Sequence, residues 1–347
     1  MFAACWRMDN MRVLVTGGAG FIGCNLVREL MKQPEVSFVA VLDALTYAGS
    51  KMNLKAVEGC SRFQFAEGDI RDLGEVRRVV RELGCDRVFH LAAESHVDRS
   101  ITSPSEFVET NVLGTFNLLE ACRETWGVNL KGKRFIHIST DEVYGSLGIE
   151  GSFNENTPYA PRSPYSASKA GSDHLVRAYF HTYQFPAIVT HCSNNYGPYQ
   201  YPEKLIPKTI ARALQGEPIP VYGDGKNVRD WIHVQDHVDA LWQVMVSGYD
   251  GETYDIGGGN EIANIDLVNS ICDELDRLKD NESGASRKLI EFVEDRLGHD
   301  FRYSINFGKI TDDLGWKPQQ DFPNSLSETV QWYVDREDWM RAVIKEN

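Results

Sequence analysis

A glycine-spaced turn set between an apolar strand run and a helix-periodic run limits this chain more than any other feature. Arg12 to Thr16 reads as a short β-rich strand. VLVTGGAGFIG then carries the chain straight into a helical stretch from Gly20 to Met31, with Gly17, Gly20 and Gly23 spaced GxxGxxG. At the carboxyl end of a strand, such a turn lets a phosphate approach backbone N–H groups and the positive end of the helix dipole, where Cβ atoms would obstruct it. The alternation continues: strands fit at Ser37 to Asp43, Phe63 to Glu67, Arg87 to Ala92, Arg134 to Ser139 and Ala187 to Ser193. Helices fit at Leu73 to Leu83, Ser105 to Thr125 and Ser163 to Tyr183, the last opened by a Ser-Pro pair suited to N-cap and N1. Six strands with intervening helices predict right-handed βαβ units around a parallel sheet, an α/β fold of the doubly wound, Rossmann type.

From Asn194 onward Pro/Gly turns mix with helices near Lys204 to Leu214 and Ile265 to Leu278, then a polar loop, Lys279 to Lys288, and a strand, Leu289 to Val293. The expected division is a flexible extension over 1–10 and a dinucleotide-binding domain over 11–193 with returning segments from about 230–262. A smaller mixed α/β lobe, mainly for substrate, follows over 194–347. The 347 residues, 42% of them apolar, suffice for such a core. Fifty acidic against 36 basic side chains, a net charge of −14, argue against a nucleic-acid partner. The longest apolar run, Val36 to Leu42, is far short of the ~20 residues that cross a bilayer, so no membrane span is expected. The first ten residues have no signal-peptide pattern, and Met8 or Met11 is a candidate start. Seven cysteines, odd in number and never spaced CxxC, suit a reducing cytoplasm.

Asp43 closes the second strand twenty residues beyond Gly23, where a carboxylate can accept the adenosine ribose hydroxyls of a dinucleotide. It would repel a 2′-phosphate, and Ala44, Leu45 and Thr46 offer no arginine in compensation, so NAD is favoured over NADP. Asp69, in GDIRD after the third strand, can receive an adenine amino group or simply close a turn.

Tyr165 and Lys169 lie four apart in SPYSASKAG, so both face one side of a helix. A surface pair would be unremarked, but behind a dinucleotide turn an ammonium beside a phenol favours the phenolate, a base for a sugar hydroxyl as hydride leaves the same carbon. STDEVYG places Ser139, Thr140, Asp141 and Glu142 at the carboxyl edge of the fifth strand, where open α/β sheets bind ligands. Most Asp-Glu pairs are solvated loops. Here, unlike environments would let one carboxyl donate a proton while the other abstracts one. Positive charge for a diphosphate is available at Lys204, Arg229 and the group Arg296, His299 and Arg302.

TGGAGFIG, LDALTYAG, GDIRD, HLAAESHVDRSI, STDEVYG, SPYSASKAGSDH, NNYGPYQYPEKLIP and GDGKNVRDWIHVQDH together resemble the extended short-chain dehydrogenase/reductases. Within them the chain is similar to the dTDP-D-glucose 4,6-dehydratases, from Met11 to about Tyr333. The resemblance implies an NAD-dependent lyase of deoxysugar biosynthesis that converts dTDP-D-glucose to dTDP-4-keto-6-deoxy-D-glucose and water. Tyr165 with Lys169 would start oxidation at C4, Asp141 would be the acid and Glu142 the base of elimination, and Thr140 would bond the substrate. It further implies NAD contacts from Phe21, Ile22, Asp43, Ala44, Leu45, Thr46, Asp69, Ile70, Leu91, Ala92, Ala93, Ser95, Thr110 and Asn195. Ser95, Asn194, Leu205, Pro220, Val221, Tyr222 and Asn264 join Lys204, Arg229, Arg296 and His299 as substrate contacts. Leu297 departs from the familiar DRPGH. A homodimer through a four-helix bundle is implied for the helices carrying Phe107, Val112, Phe116, Leu175, Tyr179 and Phe180.

An epimerase or decarboxylase of the same superfamily would share NAD and the Tyr165/Lys169 pair but has no hydroxyl to expel at C6, so Asp141 and Glu142 favour the dehydratase. An NAD-sensing protein without turnover would not need that set. His233 and His237 suggest a structural pair rather than a metal site, since no third ligand is evident. His90 reads as a satisfied core or cleft-edge histidine, and Cys24 and Cys192 as packing.

Overall fold

The computed structural model describes residues 10–345. All but the last residue of the expected 1–10 extension, including both Met1 and Met8, lies outside the described residues. β1 (Met11–Thr16), β2 (Val36–Asp43), β3 (Phe63–Glu67), β4 (Arg87–His90), β5 (Arg134–Thr140) and β6 (Ala187–Cys192) form one sheet, joined beside β6 by an edge strand, Thr253–Ile256. The order is edge strand, β6, β5, β4, β1, β2, β3, and every pairing is parallel. This is the doubly wound sheet expected, with a seventh strand that sequence reading did not mark. TYDI is four residues long and buried on both faces, so it has neither the length nor the alternation that marks a strand.

β1 lies between β2 and β4, so the strand order reverses there and opens a crevice at the carboxyl ends of β1 and β4. One face of the sheet is covered by the helices Phe21–Leu30 and Val234–Ser247, whose Leu26, Val27, Val238 and Leu241 are fully buried. The other carries Leu73–Leu83, Thr115–Trp126 and Pro164–Tyr183 around Leu118, Phe135 and Phe185. Burying each such side chain is worth ~1.5–3 kcal/mol before conformational entropy is counted, and that holds the strand ends in place.

Helix boundaries agree to a residue or two, with one exception. The single helix expected over Ser105 to Thr125 is Pro104–Phe107, a π-helical segment Val108–Gly114, and Thr115–Trp126. The widened turn presses Gly114 against Ile70, where a Cβ would come within 2.6 Å of the Ile70 side chain. It also turns Asn111 inward to bond both backbone groups of Glu94 and the Ser168 hydroxyl. Phe107 and Tyr179, expected on an outward face, are buried, and the exposed apolar side chains of this stretch are Val108, Leu113 and Phe116.

The later part of the chain adds a three-stranded sheet of Asn194–Tyr196, Val228–His233 and Glu261–Ala263, and a parallel pair of Ile219–Tyr222 with Ile290–Val293. The helices Leu205–Gln215, Asn264–Leu278 and Phe322–Val334 close around Ile210, Ile271 and Val330. Among the described residues, no helix is long and apolar enough to cross a membrane.

Candidate functional site

The glycine turn sits at the crevice, but two of its three glycines are required by the protein itself. Gly17 has φ +70°, and a Cβ there would stand 2.7 Å from the Ala92 backbone nitrogen; a Cβ on Gly23 would press into the Gly17 carbonyl and stand 2.7 Å from Gly18 Cα. Gly20 is the helix N-cap and makes no side-chain cap, so the first turn's N–H groups remain open to an anion. This cradle fits a dinucleotide pyrophosphate. Phe21 and Ile22, in that first turn, pack on the apolar layer below.

Asp43 is buried at the end of β2, accepting the Ala19 N–H at 2.9 Å and the Leu45 N–H at 2.8 Å. Burial raises its pKa while those two amides lower it. Its carboxylate thus ties the glycine turn to the 44–46 loop, with Ala44 and Thr46 exposed at the lip and Leu45 at φ +51°. Asp69 is engaged by Arg71, whose Nε and Nη2 bond one carboxylate oxygen at 2.8 and 2.6 Å. Burial raises Asp69, but the Arg71 bonds outweigh it, so this residue is a turn carboxylate with an ion-pair partner. Asn117 anchors the neighbouring Ile70 and Arg71 carbonyls. Leu91 and Ala92 follow β4 and bond Thr16, while Ala93 and Ser95 continue along the crevice and Thr110 stands half-buried in the π-helical segment. Asn195 is fixed by His237 Nδ1 at 2.8 Å.

The reactive groups meet above β5. Thr140 caps a short 3-10 turn, Asp141–Tyr144; its hydroxyl accepts the Glu142 N–H and donates to Asp141 Oδ1, both at 3.3 Å. Burial pushes Asp141 well above the usual carboxylate range, and the neighbouring Glu142 and Asp230 push it further; Asp141 Oδ2 has no partner. Glu142 is also raised by burial, but Arg229, Lys204 and Arg296 draw it back. The two carboxyls therefore stand in unlike environments. Asp141 holds a proton more firmly than Glu142, as an acid/base pair requires.

Tyr165 differs from expectation. Burial raises its phenol well above 10, Glu142, Cys192 and Asp141 raise it further, and the Thr140 hydrogen bond lowers it. Lys169 Nζ donates to the Ile138 carbonyl at 2.8 Å and is itself lowered by burial to about 8. The lysine's charge does not prevail at the phenol, because burial dominates there and the acidic Glu142, Cys192 and Asp141 add to it.

Of the cationic residues, Arg229, Lys204 and Arg296 act together on Glu142, and His299 faces Arg229 and Arg296. Arg229 is buried, spends its guanidinium on the Val228, Asp300 and Phe301 carbonyls and lies over the Tyr303 ring. Lys204 reaches the Ser95 carbonyl. Arg296 pairs with Asp98 at 2.9 Å and lies over Tyr222, and His299 is held by Asp295 at 2.6 Å. Arg302 instead pairs with Glu261. Val221 turns its side chain into the apolar cluster with Val268 and Cys272, and the flanking Pro220 and Tyr222 are half-buried beside it. Leu205 and Asn264 start their helices, Asn264 with a buried, unpartnered Oδ1, and Asn194 opens a strand. Leu297 is exposed.

His233 Nδ1 accepts the Gln235 N–H as a helix cap and His237 holds Asn195, so the pair has separate structural tasks. His90 is bonded by Thr16 and Thr115 on its two nitrogens, a satisfied core histidine. Sequence reading missed Asp98, Asp300 and Tyr303, which position the cations. Only the nearness of Asp300 and Tyr303 to DRLGH offered a signal.

A family model described as GDP-mannose 4,6 dehydratase matches residues 14–329. A dTDP-glucose 4,6-dehydratase of Neisseria meningitidis is 53% identical over 341 residues, 96% of each chain. The crystal structure of a dTDP-glucose 4,6-dehydratase from Streptomyces venezuelae with NAD bound is similar at TM-score 0.88 and 47% identity, covering 96% of this chain and 100% of that one. A Thermus thermophilus UDP-glucose 4-epimerase in complex with NAD is similar at TM-score 0.83 and 30% identity, over 94% and 100%.

Proposed function

The chain belongs to the dTDP-glucose 4,6-dehydratase family, and from that premise we propose that it converts dTDP-D-glucose to dTDP-4-keto-6-deoxy-D-glucose and water, with NAD as a retained cofactor. NAD supplies the acceptor for the C4 hydride and returns that hydride to C6, together with a positive charge beside Tyr165. Gly17, Gly20, Gly23, Asp43 and the segments after β3 and β4 hold it. Tyr165 takes the C4 hydroxyl proton, with Lys169 and Thr140 orienting it. The C4 ketone acidifies C5–H; Glu142 removes that proton as Asp141 protonates the departing C6 hydroxyl, and Glu142 later gives a proton back at C5. Lys204, Arg229, Arg296 and His299 make the positive ground that a diphosphate needs.

One observation supports this reading over epimerisation or decarboxylation: two buried carboxyls on one turn beside Tyr165, Asp141 facing acidic neighbours and Glu142 facing Arg229, Lys204 and Arg296. The shared fold cannot discriminate, since an epimerase has it too. Incubation of the purified protein with dTDP-glucose should yield a nucleotide sugar lighter by one water and carrying a ketone. Epimerised or unchanged sugar would refute the proposal.

Residues 194–347 serve mainly the nucleotide sugar in this reading, and the six described cysteines, all unpaired, suit the cytoplasm. Val108, Leu113 and Phe116 expose an apolar face that suits a two-fold helix–helix contact with a second copy. Light scattering should give twice the 39.2 kDa chain mass; the single mass would refute the pairing.

A further inference from the structure

The turn that carries Asp141 and Glu142 is tied by bonds of unequal length. Thr140 Oγ1 accepts the Glu142 N–H at 3.3 Å, and the Gly145 N–H reaches the Glu142 carbonyl at 3.3 Å. Both bonds are long for their type. The Val143 carbonyl accepts the Ala160 N–H at 3.0 Å, and the shortest bonds belong to Tyr144, the last residue of the turn. Its hydroxyl donates to Asp255 Oδ1 at 2.9 Å and meets His191 Nδ1 at 2.8 Å. The ring stacks on Phe153 with centroids 5.2 Å apart and is buried.

Behind Tyr144 lies a buried polar array. His191 Nδ1 is 2.8 Å from Asp255 Oδ1, and His191 Nε2 is 2.8 Å from the Tyr159 hydroxyl and 3.1 Å from Asp173 Oδ2. Asp173 Oδ2 also accepts from Ser139 Oγ at 3.0 Å and Tyr159 at 2.9 Å. Ser139 directly precedes Thr140 on β5, and Asp173 is one helical turn beyond Lys169. The array therefore joins the segment bearing the two carboxyls to the helix bearing Tyr165 and Lys169. Burial alone would lower His191, but its bonds to Asp173 and Asp255 raise it to about 9, so the ring is a doubly protonated donor between two carboxylates. A buried ion costs several kcal/mol unless it is paired, so the bonds on both sides of His191 favour this geometry.

We propose that Tyr144 is a positioning residue for elimination: its hydroxyl, clamped by His191 and Asp255, sets where Asp141 and Glu142 stand relative to Tyr165 and Lys169. The inference rests on the dehydratase reading above. It assigns Tyr144 no contact with substrate. Oxidation at C4 uses Tyr165 and Lys169, which are carried by the twenty-residue helix Pro164–Tyr183 and are not bonded to Tyr144, whereas elimination needs both carboxyls aimed at C5 and C6.

Tyr144→Phe tests this, since the ring keeps its packing and His191 and Asp255 remain bonded to each other. In single turnover with dTDP-glucose, formation of reduced nicotinamide should stay within about twofold of wild type. Release of the 4-keto-6-deoxy product should fall at least ~10-fold, the scale of a sub-ångström misplacement of catalytic groups. Reduced cofactor should accumulate on the enzyme, a signature that a merely stabilising residue would not give. Asp255→Asn, which weakens the clamp from the other side, should show the same split. Product release at the wild-type rate, or an equal fall in both half-reactions, would overturn the proposal. Failure of the wild-type protein to form product at all would instead refute the dehydratase reading.

Discussion

Gly23→Ala isolates the cost of disturbing the glycine turn without removing any polar group. The added methyl would stand 2.7 Å from Gly18 Cα and 2.9 Å from the Gly17 carbonyl carbon, where ordinary contact begins near 3.4 Å. Backbone, not a flexible side chain, lies in the way. The Gly17 carbonyl oxygen is nearer still, so the helix start must retreat from the β1 turn by about an ångström, carrying with it the N–H groups left open beyond Gly20. Overpacking of this kind costs ~1–3 kcal/mol, and if it is relieved by displacing the anion-binding N–H groups, NAD affinity falls by ~5- to 150-fold. Gly20→Ala is the control, because its methyl meets only the Gly17 carbonyl oxygen, at 3.3 Å, and needs a shift of a few tenths of an ångström. Calorimetric titration of NAD into both variants, with thermal melts, separates the outcomes. NAD affinity within about twofold of wild type in Gly23→Ala, with an unchanged melt, would refute the packing account.

Asp43→Ala should narrow the preference for NAD over NADP and loosen the Ala19 and Leu45 amides; equal selectivity in wild type and variant, by competition binding, would show that Asp43 does not face the ribose. In Asp141→Asn with Glu142→Gln, C4 oxidation should persist while dehydration falls by ~10²- to 10⁴-fold, read as reduced-nicotinamide absorbance without product. Wild-type dehydration in that double variant would return Asp141 and Glu142 to the status of a buried acidic turn. Arg296→Ala should weaken dTDP binding by ~10-fold or more while leaving NAD binding unchanged, since a charge-assisted contact is worth ~1.5–3 kcal/mol. Unaltered dTDP affinity would mean that Arg296 serves only Asp98.

What the sequence disclosed was local. Gly17, Gly20 and Gly23 could be read because strand, turn and helix are consecutive, and Thr140 to Glu142 because a strand end announces itself. The long-range pairs could not. Arg296 finds Asp98 across 198 positions and Tyr144 finds Asp255 across 111, separations at which spacing carries no information. Tyr165 shows the same limit in its chemistry: spacing sees Lys169 four residues on, but the groups that raise the phenol arrive from β5 and β6. The π-helical segment was hidden because Gly114 at Ile70 is a packing demand, not a periodicity.

Proton accounting joins the two halves of the proposed reaction. Oxidation at C4 leaves the hydroxyl proton on Tyr165, and expulsion of the C6 hydroxyl as water takes a proton from Asp141. Each turnover thus leaves the tyrosine one proton rich and the aspartate one proton poor. Glu142 does not close the gap, because the proton it removes from C5 is matched by the one it gives back there. The Thr140 hydroxyl lies on the connecting line: it donates to Asp141 Oδ1 at 3.3 Å, and the same side chain is a hydrogen-bond partner of the Tyr165 phenol. A hydroxyl accepts and donates at once, so Tyr165, Thr140 and Asp141 have the order that a returning proton needs. Burial raises Asp141 well above the usual carboxylate range, which favours its protonated form, whereas Tyr165, also raised by burial, has to become the phenolate before it can take the C4 proton, a change the positive charge that NAD would bring favours. The burial that raises Asp141 favours the protonated form from which elimination begins, and it favours return to that form after water has left.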